Sequence, residues 1–147
     1  MFKKIALPLL AAFALLVAAL PQAWAGDGVH RLVMQVNDND AARMNLALNN
    51  AANLDAYYKA KGEELVIEIV AYGPGLNMLV DGKSPVQKRV TSFGQNFDNI
   101  TFVACGNTLR KMSKKGTVTL LPEAKMTEAG VVHIMERQEQ GWSYVRP

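Results

Sequence analysis

Residues 100–107 read ITFVACGN, the stretch that decides the fold. The first five are apolar or β-branched, which predicts a central strand at 100–104 covered on both faces. The cysteine and the Gly-Asn pair after it then turn the chain into a short helix, predicted at 108–114. Because open parallel sheets bind ligands beyond the carboxyl ends of their strands, Cys105 stands where we expect chemistry, and it is the only cysteine in the sequence.

Strand-like and helix-like segments alternate on both sides of this stretch, which predicts an α/β fold with a parallel sheet and helices packed on it. Further strands are predicted at 31–36, 65–71, 124–126 and 142–145. Thr117–Leu121 also alternates like a strand. Three further helices are predicted. The first spans 41–60, with Asp40 as its N-cap, and Gly62 ends that region. The second runs from Ser84-Pro85 through Phe97, and the third from a Thr127 cap to about Gln140.

The amino terminus has the pattern of a cleavable secretory signal over residues 1–25. Lys3 and Lys4 are followed by an apolar run, and Ala23-Trp24-Ala25 places small residues where a signal peptidase cleaves. We therefore expect export to the periplasm and a single mature domain over residues 26–147. The apolar run is short for a retained membrane anchor, which is the alternative.

Charge and composition exclude some classes of function. Removing the two signal lysines leaves 14 basic against 13 acidic residues, and the basic residues form no stripe, so we expect no nucleic-acid partner. The two histidines and the cysteine lack the spacing of metal ligands. We therefore expect neither a metal nor a cofactor. His133 falls within a predicted helix, where a structural role is expected.

Cys105 comes directly before a helix, whose amino terminus favours a thiolate. Lowering a thiol pKa from about 8.5 to 7 takes roughly 2 kcal/mol, whereas a helix dipole supplies ~0.3–1 kcal/mol. A cation such as Arg110 or a second backbone donor must supply the rest. The alternative is a buried, inert cysteine that ends a core strand.

Polar residues elsewhere in the sequence are candidates for lining the same site. Asn37 and Asp38 follow the first predicted strand, and turn formation also explains them. Asn49 belongs to a run of asparagines on the first helix, which is either a pocket lining or a solvated face. Gly73-Pro74-Gly75 lacks the Lys and Ser/Thr of a phosphate-binding P-loop.

Several segments together resemble the DsrE/DsrF-like family, also described as YchN-like. The most specific is Ala104-Cys105-Gly106-Asn107-Thr108-Leu109. Weaker matches are 46–54 (LALNNAANL), 72–76 (YGPGL) and 141–147 (GWSYVRP). The resemblance covers nearly the whole mature chain. It implies a three-layer α/β sandwich with a mainly parallel sheet of about five strands, assembled as a trimer or hexamer.

The best understood members of that family carry sulfur as a persulfide on one cysteine after a central strand, which implies the same use of Cys105. The leading hypothesis is a periplasmic sulfur carrier, or sulfurtransferase-like relay, that exchanges sulfur with donor and acceptor proteins. Gly106 and Asn107 would stabilise the thiolate, Arg110 would assist electrostatically, and a pocket would be lined by Asn37, Asp38 or Asn49. The alternative is a non-catalytic oligomeric module that binds a small ligand or a protein.

Overall fold

The computed structural model describes residues 28–147. The predicted signal, residues 1–25, lies outside this range. Within it the strands are β1 (Val29–Val36), β2 (Glu64–Ala71), β3 (Ile100–Cys105), β4 (Ala124–Thr127) and β5 (Ser143–Val145). The α-helices are α1 (Ala41–Lys61), α2 (Gln87–Asn96), α3 (Gly106–Ser113) and α4 (Gly130–Glu139), and a 3₁₀ helix spans Gly73–Leu79.

The five strands form one sheet in the order β4-β3-β2-β1-β5, and every neighbouring pair is parallel. This confirms the predicted α/β class and the five-strand parallel sheet. The strands from β1 to β4 advance across the sheet one neighbour at a time. The connection from β4 to β5 then returns across the whole sheet through α4.

Strand residues alternate between two faces. The main face includes Met34, Ile67, Ile69 and Phe102, which form the large core with α1, the 3₁₀ helix and α2. The opposite face, here called the α4 face, has a smaller apolar cluster of Val33, Val70, Val103 and Ile134, the last contributed by α4. Helices therefore cover both sides of the sheet, as in the predicted three-layer sandwich.

The ends of α1 follow the predicted capping. Asp40 Oδ1 accepts a hydrogen bond from the Ala42 N–H at 2.7 Å, which satisfies a donor that the first helical turn leaves free. Gly62 ends the helix in the left-handed conformation, with φ of 70°, where a residue without a Cβ avoids strain. Both residues act as their positions in the sequence predict.

Two of the predicted helix starts are wrong. Ser84-Pro85 belongs to the turn before α2, which begins at Gln87, and Ser84 Oγ accepts from the Val86 N–H within that turn. Thr127 does not cap α4, because it is the last residue of β4 and pairs with Cys105 of β3. The N-cap of α4 is Ala129.

Two boundaries near the carboxyl-terminal third also differ from the prediction. Thr117–Leu121 forms no strand and contributes one antiparallel bridge, between Val80 and Leu120. Cys105 belongs to β3 and not to a turn, so α3 begins at Gly106 instead of Thr108. No helix within residues 28–147 combines the length and apolar character needed to cross a membrane.

Candidate functional site

Cys105 lies where the direction of the chain connections changes. After β3 the chain enters α3, whose Leu109 and Met112 pack against the core of the main face. After the neighbouring strand β4 it enters α4, which covers the opposite face. Adjacent strands whose connections diverge in this way form the topological switch point at which open α/β sheets bind ligands. Cys105 is the last residue of β3 at that point.

The thiol of Cys105 faces the start of α4. The Gly130 N–H, the first of that helix, donates to Sγ at 3.2 Å. A Cβ added at Gly130 would lie 3.2 Å from Cβ of both Cys105 and Tyr72 and 3.3 Å from Cγ1 of Val70. The approach of α4 to the sulfur therefore depends on glycine at position 130, because a side chain there would press against three neighbours.

Thr108 links the thiol to the loop after β2. Its Oγ1 accepts a hydrogen bond from the Gly73 N–H at 2.9 Å, and interaction with its hydroxyl lowers the pKa of the Cys105 thiol. A hydroxyl both accepts and donates, and each bond in such a chain polarises the next. The Gly73 N–H thus reinforces the donation from Thr108 to the sulfur.

These donors change the acidity of the thiol. Burial raises the pKa of Cys105, which is 5% exposed, but hydrogen bonds outweigh it. The Thr108 hydroxyl and the N–H groups of Gly130, Thr108 and Asn107 together lower the pKa below its ordinary value. The Asn107 N–H makes the smallest of these contributions, and it also donates to the Glu128 carbonyl at 3.0 Å. The arrangement favours a thiolate sheltered from bulk solvent.

The structure places three predicted site residues on α3, with Gly106 and Asn107 in its first turn and Arg110 in its last. A Cβ added at Gly106 would lie 3.0 Å from the carbonyl oxygen of Thr127 and 3.4 Å from Nη1 of Arg110. Arg110 Nη2 donates to Asn107 Oδ1. The guanidinium therefore lies beside the start of α3 and adds positive charge near Cys105.

Asn37 and Asp38 lie at the same edge of the sheet, after β1. Asp38 Oδ2 is 3.2 Å from Nη2 of Arg146 and 3.6 Å from Nη1 of Arg43. A Cβ added at Gly75 would lie 2.7 Å from Cα of Asn37, so the glycine-rich turn packs on the backbone there. The cavity beside Asn37 and Asp38 has a volume of about 10 Å³, room for roughly one water molecule.

Asn49 is not brought to Cys105. Its Oδ1 accepts from Nη2 of Arg89 at 2.8 Å, and Oδ1 of Asn45 accepts from Nη1 of the same guanidinium at 2.7 Å. These asparagines join α1 to α2 on the main face, whereas the thiol faces the α4 face. Part of the asparagine run is therefore explained by contact between two helices.

Tyr72, Thr108 and Gly130 belong to the site although the sequence did not single them out. Burial raises the pKa of Tyr72, and the charges of Tyr144, Asp38 and Cys105 raise it further against the opposing effect of Arg146. The phenol consequently stays protonated. Tyr72 and Thr108 lie within the quoted family segments, whereas nothing local marks Gly130. Its role follows from the pairing of β3 with β4.

Within residues 28–147, no group of three or more His, Cys, Asp and Glu side chains is arranged to hold a metal ion. Three larger clefts, of about 410 to 470 Å³, do not include Cys105 in their linings. The arrangement at Cys105 is suited to nucleophilic chemistry by a stabilised thiolate on a small reagent.

Fold and site together define a parallel α/β domain with one hydrogen-bonded cysteine at the switch point. No family model matches the sequence, and no curated protein matches it. A solved structure, that of the protein of unknown function MTH1491 from Methanobacterium thermoautotrophicum, is 33% identical, with a TM-score of 0.69. The match covers 80% of this chain and 99% of that one. The chain belongs to the same family as MTH1491.

Proposed function

We propose that this protein is a sulfur carrier of the DsrE/DsrF-like family, exported to the periplasm. Sγ of Cys105 is the atom that accepts and releases sulfur. The observation that carries the proposal is the environment of Sγ. Donors from α3 and α4 meet at one sulfur at the switch point and lower its pKa despite burial. A cysteine that served only as packing would not need these donors, because a neutral thiol is a weak hydrogen-bonding group.

The proposed reaction is transfer of a sulfane sulfur to the thiolate. With thiosulfate as the donor, Sγ attacks the outer sulfur and forms the new S–S bond. The S–S bond of thiosulfate breaks, and sulfite leaves with its electron pair. Cys105 becomes a persulfide anion, so charge and electrons balance without an external oxidant. The same donors that stabilise the thiolate would then stabilise the persulfide anion.

The burial of Cys105 defines which donors fit. A thiol that is 5% exposed admits a small anion or the extended terminal sulfur of a persulfide more readily than a bulky disulfide. Arg110 and the two helix amino termini add positive potential, which favours anionic donors. Either a sulfurtransferase or a free persulfide would supply such a sulfur.

The test is intact-mass measurement after exposure to a sulfur donor. The mature chain is incubated with thiosulfate and a sulfurtransferase, or with a low-molecular-weight persulfide, and then treated with a reductant. We expect a gain of one sulfur atom that the reductant removes. Cys105→Ser is the control and should gain none. No gain on the native protein, or an equal gain on the variant, would overturn the proposal.

One observation favours the alternative of a non-catalytic oligomeric module. Among residues 28–147, three of the eight exposed large hydrophobic residues lie on α4, namely Val131, Val132 and Met135. Exposed apolar residues close together on one helix are typical of a surface that binds a partner. Light scattering of the native protein and of Met135→Lys tests whether this surface joins copies of the chain. Slow alkylation of Cys105 at neutral pH would in addition support a purely structural role for the cysteine.

A further inference from the structure

A carboxylate lies buried at the centre of the sheet, outside the site described above. Glu68 belongs to β2, the middle strand, and is 9% exposed. It pairs in register with Val33 of β1 and Thr101 of β3, so it lies on the α4 face. Among residues 28–147 it is the one charged residue that is buried. A charge at such a position is costly unless it is paired and hydrogen-bonded.

Two residues of α4 supply the partners. Arg137 donates twice, from Nε to Oε2 and from Nη2 to Oε1, each at 2.8 Å. His133 Nε2 is 2.6 Å from Oε2. Burial raises the pKa of Glu68, but the hydrogen bonds and charges of Arg137 and His133 outweigh it and hold the pKa below its ordinary range. Glu68, His133 and Arg137 are called the carboxylate anchor below.

The anchor matters because α4 has few apolar contacts with the sheet. Ile134 is the one large side chain of α4 that is buried. Val131, Val132 and Met135 are each more than half exposed. Arg137 also lies 4.9 Å from the centre of the Trp142 ring, and its carbonyl accepts the Trp142 N–H at 3.0 Å. Polar contacts to Glu68 therefore add to the packing of Ile134 in holding the lateral and rotational setting of α4 on the sheet.

That setting places the first N–H of α4 on the thiol. Gly130, His133 and Arg137 are spaced three and four residues apart, so they lie along one side of the helix. That side faces Cys105 at its start and Glu68 further along. Hydrogen bonds weaken steeply with distance and angle, so a small shift of α4 would remove the Gly130 N–H from Sγ. Replacing a buried ion pair by apolar residues is often neutral for stability, and stability alone does not account for the anchor.

We propose that Glu68 is a positioning residue for Cys105. It holds α4 through Arg137 and His133 so that the Gly130 N–H remains directed at Sγ. The inference rests on the proposed function only in taking Cys105 as the reacting group. Glu68 touches neither the sulfur nor a sulfur donor, and it acts entirely through the helix.

The test is the pH dependence of Cys105 alkylation by iodoacetamide in native protein and in Glu68→Gln. The midpoint of the rate profile measures the thiol pKa, and its plateau at high pH measures accessibility. We expect the midpoint of the variant to move upward by half a unit or more, so that the rate at neutral pH falls about threefold relative to the plateau. Circular dichroism checks that the fold is retained.

Glu63→Gln is the matched control. Glu63 also pairs with a histidine, since its Oε2 is 2.8 Å from Nε2 of His30. This pair is exposed and lies where β1 and β2 begin, whereas Cys105 lies where β3 ends. We expect its alkylation midpoint to equal that of the native protein. If Glu68→Gln does not fold, Arg137→Lys replaces it, because lysine keeps the charge and loses the bidentate geometry.

An unchanged midpoint in a folded anchor variant would overturn the inference and leave the anchor a structural feature. A midpoint that moves equally in Glu63→Gln would do the same. The alkylation experiment contains no sulfur donor, so its outcome is independent of persulfide formation. Failure of the carrier proposal would appear as a missing mass gain in native protein, with the alkylation profiles unaffected.

Discussion

The N–H of Gly130 lies 3.2 Å from Sγ of Cys105, which joins the first residue of α4 to the last residue of β3. α3 begins one residue after the same cysteine. Two helices that pack on opposite faces of the sheet therefore start at one sulfur atom. Helix amino termini favour negative charge, but the dipole of one helix is too weak to lower the thiol pKa far. The Gly130 N–H of α4 is the second backbone donor that the sequence analysis required.

We expect Gly130→Ala to separate α4 from the thiol. The new methyl group would lie 3.2 Å from Cβ of Cys105 and Tyr72, and such overpacking costs roughly 1–3 kcal/mol. Urea unfolding measures the loss of stability, and alkylation measures the accompanying rise in the thiol pKa. Val131→Ala, at the next and exposed position, should change stability by about 0.5 kcal/mol or less. Equal effects of the two variants would contradict the role of Gly130.

We expect Thr108→Val to slow alkylation of Cys105 at neutral pH and to destabilise the protein. Valine has nearly the same shape but neither donates to the sulfur nor accepts from the Gly73 N–H. A buried donor left unpaired costs about 1–3 kcal/mol, and because the Gly73 N–H is part-buried, we expect a loss near the lower end of that range. Thr108→Ser keeps the hydroxyl and should retain the native alkylation midpoint. An equal shift of the alkylation midpoint in Thr108→Ser, which keeps the hydroxyl, would contradict the role of that hydroxyl.

Most of the fold was predictable because its signals are local. β-branched runs identified the strands, and Asp40 and Gly62 identified the ends of α1. The errors fell where tertiary pairing overrides a local signal. Thr127 resembles a cap in the sequence but pairs with Cys105 in the sheet. The alternation at Thr117–Leu121 has no neighbouring strand to extend it and makes a single bridge to Val80.

The site was predictable only in part. Cys105 and Arg110 were identifiable because a strand and a helix follow one another directly in the sequence. Gly130 was not, because it is 25 residues from Cys105 in sequence, and its contact with the sulfur depends on the parallel pairing of β3 with β4. Glu68 likewise lies in an apolar strand, and its partners His133 and Arg137 are brought to it by the long β4–β5 connection.

We expect the stability of the native protein to rise relative to Cys105→Ser as the pH increases toward the ordinary thiol pKa of about 8.5. The thiol pKa is lowered in the folded protein, so the unfolded chain binds more protons between the two values, and stability increases with pH there. The contribution is lost as the pH falls through the folded-state pKa. Urea unfolding under reducing conditions measures it, and curves for the two proteins that stay parallel across this range would contradict a stabilised thiolate.

The last prediction concerns Glu68, whose pKa is lowered in the folded protein by Arg137 and His133 acting against burial. A carboxylate of this kind stabilises the fold above its unfolded pKa of about 4.3, and the contribution disappears as the pH falls through the lower, folded value. Glu68→Gln removes the titration and leaves Arg137 without its carboxylate. We expect it to lower the unfolding free energy at neutral pH by about 1–3 kcal/mol.

In Glu68→Gln the unfolding free energy should also fall less steeply on acidification than in the native protein. The native protein loses the contribution of the Glu68 carboxylate below a pH of about 4.3, whereas the glutamine variant has no such contribution to lose. Urea unfolding at a series of pH values from neutral to acid measures both effects. Glu139→Gln, an exposed carboxylate at the end of α4, is the control and should follow the native profile. If the native protein and Glu68→Gln lose stability in parallel on acidification, Glu68 is not ionised in the fold, and its contact with Arg137 does not act as an ion pair.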